Sequence, residues 1–344
     1  MVKLTRVHGS ENSFYLLDQR QLKQTLTTAE LSRFAQQAND SAPAILGPVD
    51  GVLVVSKSND DHAAGRMQVF NRDGSQASMC GNGLRTVSRY LAEQTHQTDF
   101  VVQTGAGDLP VHQVTAFAQN VPAFSVSIQP VSFDADALGL HQISALPMLN
   151  QTKMPFADSS STAFSAVAVP NPHLISLTDH NHPNALSVDS LGNLGRKLNT
   201  MNPWFPDGVN VSFGWEINDT TLFVRTFERG VGFTNACGTG MSATSLIWVL
   251  THSTSLYEQL LTIYNPGGMV QTCVHHQTDG DTIDLIGNAT FTDHLYLNEA
   301  DLHAGNLSDA EVTVTQEEVA YQKFVAQLPQ WSFGETASPV TQTN

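Results

Sequence analysis

The chain has 344 residues, 41% of them hydrophobic, enough for two domains or one elaborated domain with a full core. Charged residues make up only 14% and the net charge is −16, which argues against a nucleic-acid or anionic-membrane surface as main partner, since both need basic patches. No apolar run is long enough for a transmembrane helix, and the N-terminus lacks the apolar stretch of a signal peptide.

Along the chain, Leu4–His8, Phe14–Asp18 and Gly51–Ser56 read as strands, with a short helix over Ala29–Gln37. Met67–Phe70 is a further strand, and Asn71–Gly74 has tight-turn composition. Cys80-Gly-Asn-Gly83 follows, and Leu84, Val87 and Leu91 then recur at helical spacing. Phe100–Gln103 and Phe124–Gln129 are strands separated by the Gly105–Gly107 turn. Residues 131–168, rich in Ser, Ala, Pro and Asp, read as an extended connection or surface insertion. Leu191–Leu198 is a short helix, and Gly208–Phe213 and Thr221–Phe227 are strands. A second cysteine turn, Ala236-Cys-Gly-Thr-Gly240, precedes another apolar helix. Leu261–Tyr264, Gly268–Val274, Thr282–Ile286 and Phe291–Leu297 complete the strands, and 299–344 holds one helix (Glu317–Leu328) and a polar tail expected to be disordered.

Each half therefore has strands, then Cys-Gly-x-Gly, then a helix, about half the chain apart, as in a duplicated domain. The remaining thiol is Cys273; three cysteines are too few, and odd in number, for a disulfide framework, so a reducing cytoplasm is expected. A cysteine opening a helix sits near free N–H groups and the positive dipole end, which favour the thiolate over its usual pKa of about 8.5. The glycines let a carboxylate approach those N–H groups. Alone, such a turn is more often a buried, inert cysteine. Two of them facing one cleft would let one thiol remove a Cα proton while the other delivers one to the opposite face. No Walker A, dinucleotide-binding or zinc-protease motif competes. Cys273, His275 and His276 hint at metal, but no fourth ligand is evident and none is expected to bind; His180 and His182 read as solvated.

Phe70–Arg85 (FNRDGSQASMCGNGLR) and Glu228–Gly240 (ERGVGFTNACGTG) resemble the two signatures of diaminopimelate epimerases. His8–Phe14, Asn171–His173 and Gly208–Phe213 resemble that family's shorter blocks, in its order. The resemblance implies an α/β (α+β) fold of two pseudo-symmetric halves, each a curved, mostly antiparallel sheet around a central helix. Residues 1–117 with 290–344 would form one half and 118–289 the other, the active site lying between them. It implies conversion of LL-diaminopimelate to the meso form, for lysine and peptidoglycan synthesis, without a cofactor. Cys80 and Cys237 would be proton donor and acceptor. The N–H groups of Gly81, Asn82, Gly238 and Thr239 would hold the reacting carboxylate, and Asn12 and Glu228 its amino group. Asn71, Asn171, Asn210 and Arg229 would recognise the distal end, and His173 would tune the thiols. The expected partner is a small amino acid, with neither nucleic acid nor membrane, and a homodimer is the expected assembly. Phe233, Thr86 and Gly51 depart from residues common in the family (Glu, Cys and Gln). Rival readings are another amino-acid racemase on this scaffold, for histidine for example, and a thiol-redox or binding protein cycling its cysteines as a disulfide.

Overall fold

The computed structural model describes residues 1–143, 147–157, 162–178, 186–278 and 280–331. His180, His182 and the tail from 332 lie outside them. The described chain forms two compact units: Met1–Val126 with Ile286–Ala326, and Ser127–Leu285 with residues 327–331.

The first unit opens with β1 (Val2–Gly9), β2 (Asn12–Asp18), α1 (Thr28–Ser41), β3 (Gly51–Ser56), β4 (Ala63–Asn71) and the short β5 (Gln76–Ala77). Then come α2 (Gly81–Thr95), β6 (Asp99–Thr104), β7 (Gly107–Ala118) and β8 (Val121–Ile128). The second unit has α3 (Ala135–Leu138), β9 (Ser165–Ala168), β10 (Pro172–Thr178), α4 (Val188–Leu198), β11 (Asn210–Asn218), β12 (Thr221–Glu228) and β13 (Gly232–Phe233). It continues with α5 (Gly238–Thr251), β14 (Leu260–Asn265), β15 (Gly268–Gln277) and β16 (Gly280–Asn288). The chain returns to the first unit with β17 (Thr290–Leu297), α6 (Glu299–Ala304), β18 (Glu311–Val314) and α7 (Glu317–Ala326).

The two units repeat one pairing order. In the first, β1/β2, β3/β4 and β6/β7 are antiparallel and β2/β3 and β4/β6 parallel. In the second, β9/β10, β11/β12 and β14/β15 are antiparallel and β10/β11 and β12/β14 parallel. Parallel neighbours need a long crossover, and a helix supplies it each time: α1 and α2 in one unit, α4 and α5 in the other. β17 and β18 extend the first sheet beyond β1, both antiparallel. Each sheet is thus mixed, with antiparallel pairs in the majority.

α2 packs against β1, β2, β3, β4 and β7; α5 packs against the corresponding β9, β10, β11, β12 and β15. Both helices are buried through most of their length, so each sheet encloses its own cysteine helix. Residues of β3 alternate between two cores. Val52 and Val54 join Leu31, Phe34 and Ala35 of α1, while Leu53 meets α2 at Gly83, where a Cβ would stand 2.6 Å from its Cδ2. That two-sided burial explains its continuous apolar run.

Three sequence expectations change. The described part of 131–168 is more than a surface insertion: Leu138, Leu140, Met148, Phe156 and Phe164 are buried in the α4 core. β7, read only as sequence beyond a turn, is a long strand whose solvent-facing residues and Pro110 hide its pattern. Residues 299–326 add α6 and β18 to the expected helix, and Glu317 of α7 holds the buried Arg89 through both guanidinium Nη atoms.

Candidate active site

Both signature cysteines occupy the same local position, the N-cap of the enclosed helix. Each is extended in backbone while the next residue turns helical, so its side chain lies over the free N–H groups of the first turn. Cys80 Sγ accepts from the Gly83 N–H at 3.4 Å, and Cys237 Sγ from the Gly240 N–H at 3.4 Å. The last glycine of each turn is required by space. A Cβ at Gly240 would stand 2.6 Å from Thr226 Oγ1 and 3.2 Å from the Cys237 sulfur itself.

Around Cys80 the first unit gathers an amide pair. Asn12 Oδ1 lies 3.7 Å from the Cys80 sulfur and accepts from Asn82 Nδ2 at 3.2 Å. Asn12 Nδ2 donates to Asp50 Oδ2 at 2.7 Å, and the Ser13 N–H donates to the same oxygen at 2.9 Å. Asp50 was not foreseen as a site residue. It comes level with Ser13 because β2 and β3 pair in parallel, Phe14 opposite Gly51, and no local signal announces that register. The Gly51 departure is also structural, since a Cβ there would stand 2.2 Å from the Phe70 carbonyl oxygen. Asn71 stands apart: it is exposed, its Nδ2 donates to Ser75 Oγ at 3.0 Å, and its carbonyl accepts from Gly74 across a turn.

The second unit gathers more of the expected set. Thr239 Oγ1 lies 3.6 Å from Cys237 Sγ and accepts from Asn171 Nδ2 at 3.4 Å. Asn171 Oδ1 meets His173 Nε2 at 3.2 Å. His173 is fully buried, and burial, reinforced by the Arg229 charge, pushes its pKa down to about 3, so the ring is neutral. His173 pairs in register with Asn210, whose Nδ2 donates to the Pro172 carbonyl and whose Oδ1 accepts from the Arg229 N–H at 2.9 Å. The Arg229 side chain is exposed and donates to the Asp207 carbonyl. Glu228 closes β12 and accepts from Thr234 Oγ1.

For Cys237 the helix-start argument is outweighed. Burial lifts its pKa well above the ordinary thiol value, and the Glu228 carboxylate lifts it further; the bonds from Thr239 and Gly240 only partly oppose this. Cys237 therefore rests as a thiol. Phe233 turns to its own unit: its ring meets Phe227 edge to face at 5.4 Å, with the Arg225 guanidinium 5.0 Å from its centre.

Away from these turns, His275 bridges Glu258 (2.6 Å) and Asp284 (3.3 Å), and His276 pairs with Asp281 at 2.8 Å. Glu258, Cys273 and His275 bring ligand atoms within 4.8 Å of one another, a grouping hidden in sequence because Glu258 precedes β14.

Comparisons with known proteins bear on the same residues. The profile of the family described as diaminopimelate epimerase matches residues 4–122 and 165–292, which include both cysteine turns. The chain is 50% identical over 331 residues to the diaminopimelate epimerase of Lactiplantibacillus plantarum, covering 95% of this chain and 98% of that one. It is 47% identical to that of Ligilactobacillus salivarius over 95% and 99% of the two chains. Among solved structures, the Bacillus anthracis phenazine biosynthesis protein of the PhzF family matches with a TM-score of 0.59 at 14% identity, covering 86% of this chain and 99% of that one, a likeness of fold. No helix among the described residues is long and apolar enough to cross a membrane. Matched by profile through both cysteine turns, and by relatives along almost its whole length, the chain belongs to the diaminopimelate epimerase family.

Proposed function

We propose that the chain converts LL-diaminopimelate to the meso form by exchanging a Cα proton between two thiols. One observation carries this reading: in each unit a cysteine caps the helix that the sheet encloses, with the N–H groups of a glycine turn directly behind it. The relatives carry the diaminopimelate epimerase name over nearly their full length.

In the proposed mechanism the two half-sites present Cys80 and Cys237 to opposite faces of one amino-acid centre. One sulfur, as thiolate, takes the Cα proton. The other, as thiol, gives its proton to the opposite face, so protons balance without a redox partner. The N–H groups of Gly81, Asn82, Gly238 and Thr239 stabilise the charge that develops on the carboxylate. Asn12, fixed by Asp50, and Glu228 take the reacting ammonium. Asn171, Asn210 and Arg229 take the distal amino-acid end, which Asn71 joins only by exchanging its Ser75 bond. His173, being neutral, acts by orienting Asn171 rather than by charge. The reading places the enzyme in the cytoplasm as a homodimer; fractionation and light scattering check these two points.

Turnover of LL-diaminopimelate in D2O, followed by proton NMR, tests the function. Deuterium is expected at the new stereocentre before it enters recovered substrate. Return of the original proton to product would leave one base serving both faces. Racemisation of lysine or histidine as fast as diaminopimelate would overturn the substrate.

A further inference from the structure

Five residues beyond Cys80 on α2 lies Arg85, whose side chain is fully buried. Its Nε donates to the Asn288 carbonyl at 3.2 Å and its Nη2 to Ser10 Oγ at 3.5 Å; Nη1 has no hydrogen-bond partner among the described residues. The chain makes room for this guanidinium. A Cβ at Gly9 would stand 2.8 Å from Nη2, and one at Gly287 2.8 Å from Cζ. Arg89, one turn on, is clamped by Glu317 and Glu93, whereas Arg85 has no carboxylate in ion-pair reach among the described residues. A buried cation without a counter-ion is expensive unless an anion forms nearby.

The other titratable groups around α2 are already engaged. Glu318 is paired with His8 at 2.9 Å, Glu11 accepts from Gln322 at 3.0 Å, and Asp50 is held by Asn12 and Ser13. Tyr321, on α7, is held well above its ordinary pKa, chiefly by burial, and stays neutral. Burial pulls Arg85 down to about 10, and among its neighbours a charge on Cys80 most opposes that.

We infer that Arg85 is a positioning residue whose buried, carboxylate-free guanidinium stabilises the Cys80 thiolate through the first turn of α2, making Cys80 the thiol that rests as the base. The inference rests on Cys80 being one of the two proton-transferring groups. When the Cys80 thiolate takes the substrate proton it becomes a thiol, and Cys237 becomes a thiolate as it gives its own. Solvent exchange after product release returns a proton to Cys237 and removes one from Cys80. At the matching place on α5 the second unit has Ser242, which donates to the Gly238 carbonyl.

The test is the pH dependence of iodoacetamide alkylation in the full chain carrying Cys237→Ser and Cys273→Ser, which leaves Cys80 as the sole thiol. With Arg85 intact, the midpoint is expected below the ordinary thiol value of about 8.5. Arg85→Gln should raise it by at least one unit, cutting the alkylation rate at pH 7 by roughly tenfold; Arg85→Lys, which keeps the charge, should stay close to the parent. With the other cysteines restored, Arg85→Gln should lower kcat by about tenfold at pH 7, recover at higher pH, and leave KM little changed. A midpoint at or above the ordinary value with Arg85 present overturns the inference, as does a folded Arg85→Gln chain with an unshifted midpoint. Where circular dichroism shows that Arg85→Gln does not fold, Arg85→Lys decides: a midpoint that rises although the charge is kept also overturns it. Alkylation needs no turnover, so these outcomes are independent of the substrate assignment.

Discussion

The two units share a pairing order, a helix enclosed by corresponding strands and a cysteine at the same cap, yet they surround that cysteine with opposite electrostatics. α2 carries two buried arginines, Arg85 and Arg89, in its first three turns. α5 carries none. Its buried polar side chains are hydroxyls, and Ser242, Thr244 and Ser245 donate back to the Gly238, Gly240 and Met241 carbonyls of their own helix. Cys80 is half-buried beside amides, whereas Cys237 is buried beside the Glu228 carboxylate. Geometry at a helix start is thus set by the turn, whereas thiol acidity is set by burial and by charges brought from elsewhere in the fold.

Removing the thiols tests whether the halves are equal in necessity although unequal in environment. Cys80→Ser and Cys237→Ser should each abolish epimerisation, by roughly 100- to 10,000-fold for loss of one positioned acid or base, because a hydroxyl is a poor base at neutral pH. Cys273→Ser should change little. Full activity in either of the first two would end the two-thiol mechanism. Mild oxidation should join Cys80 to Cys237 and inactivate the enzyme reversibly; a peptide map of inactive protein with both thiols unlinked would count against a shared substrate.

The repeat of strands, Cys-Gly-x-Gly and helix was legible because turn chemistry and apolar spacing are local. Strand β3 was read to its bounds for the same reason, its apolar run being unbroken between Gly51 and Ser56. Asp50 was not legible as a site residue, since only the parallel register of β2 and β3 brings it to Asn12. The Asn171–His173 block carries a family resemblance, but the strand it opens, β10, begins with proline, which reads as a turn. The acidity of Cys237 was misread for a non-local reason as well: the helix start is visible in sequence, the burial is not.

Acid should separate the halves next. His173 is buried and neutral, with a pKa near 3 in the folded chain against about 6.5 unfolded. Its contribution to stability is complete above the unfolded value and is lost as pH falls from there towards 3, because only the unfolded state gains the proton. The loss is about 1.4 kcal/mol per pH unit across that window. His173→Gln should flatten this acid limb in urea titrations at pH 6 and pH 4. An unchanged slope would mean that other groups carry the acid sensitivity.

Smaller effects should come from the residue that fixes Asn12. Asp50→Asn keeps the shape but weakens two charge-assisted bonds, to Asn12 Nδ2 and the Ser13 N–H. Loss of order 1–2 kcal/mol in aligning Asn12 corresponds to about a tenfold fall in kcat/KM. Asn171→Ala is the matching change in the second unit, freeing both Thr239 and His173. A hundredfold difference between the two variants would show that one half aligns the substrate and the other only encloses it.

The smallest effect is expected at Phe233, where the short strands β5 and β13 part company. β5 carries Gln76 and Ala77; β13 carries Gly232 and an aromatic ring. That ring packs edge to face on Phe227 and under Arg225. It is a little over a third exposed, at 37%. Phe233→Ala should therefore cost the aromatic contact, of order 1 kcal/mol, and lower Tm by a few degrees. Turnover should change by less than about threefold, since Glu228 is held by Thr234 and not by the ring. Phe233→Glu places a second carboxylate on the strand that pairs with the end of β12, where Phe227 and Glu228 face Phe233 and Gly232. That side chain lies on the Phe227 face, beside the Arg225 guanidinium and on the opposite face from Glu228, so the new carboxylate should pair with Arg225 and also leave turnover within about threefold. If both changes slow the enzyme further than that, the ring touches substrate, and the second unit differs from the first in specificity as well as in thiol acidity.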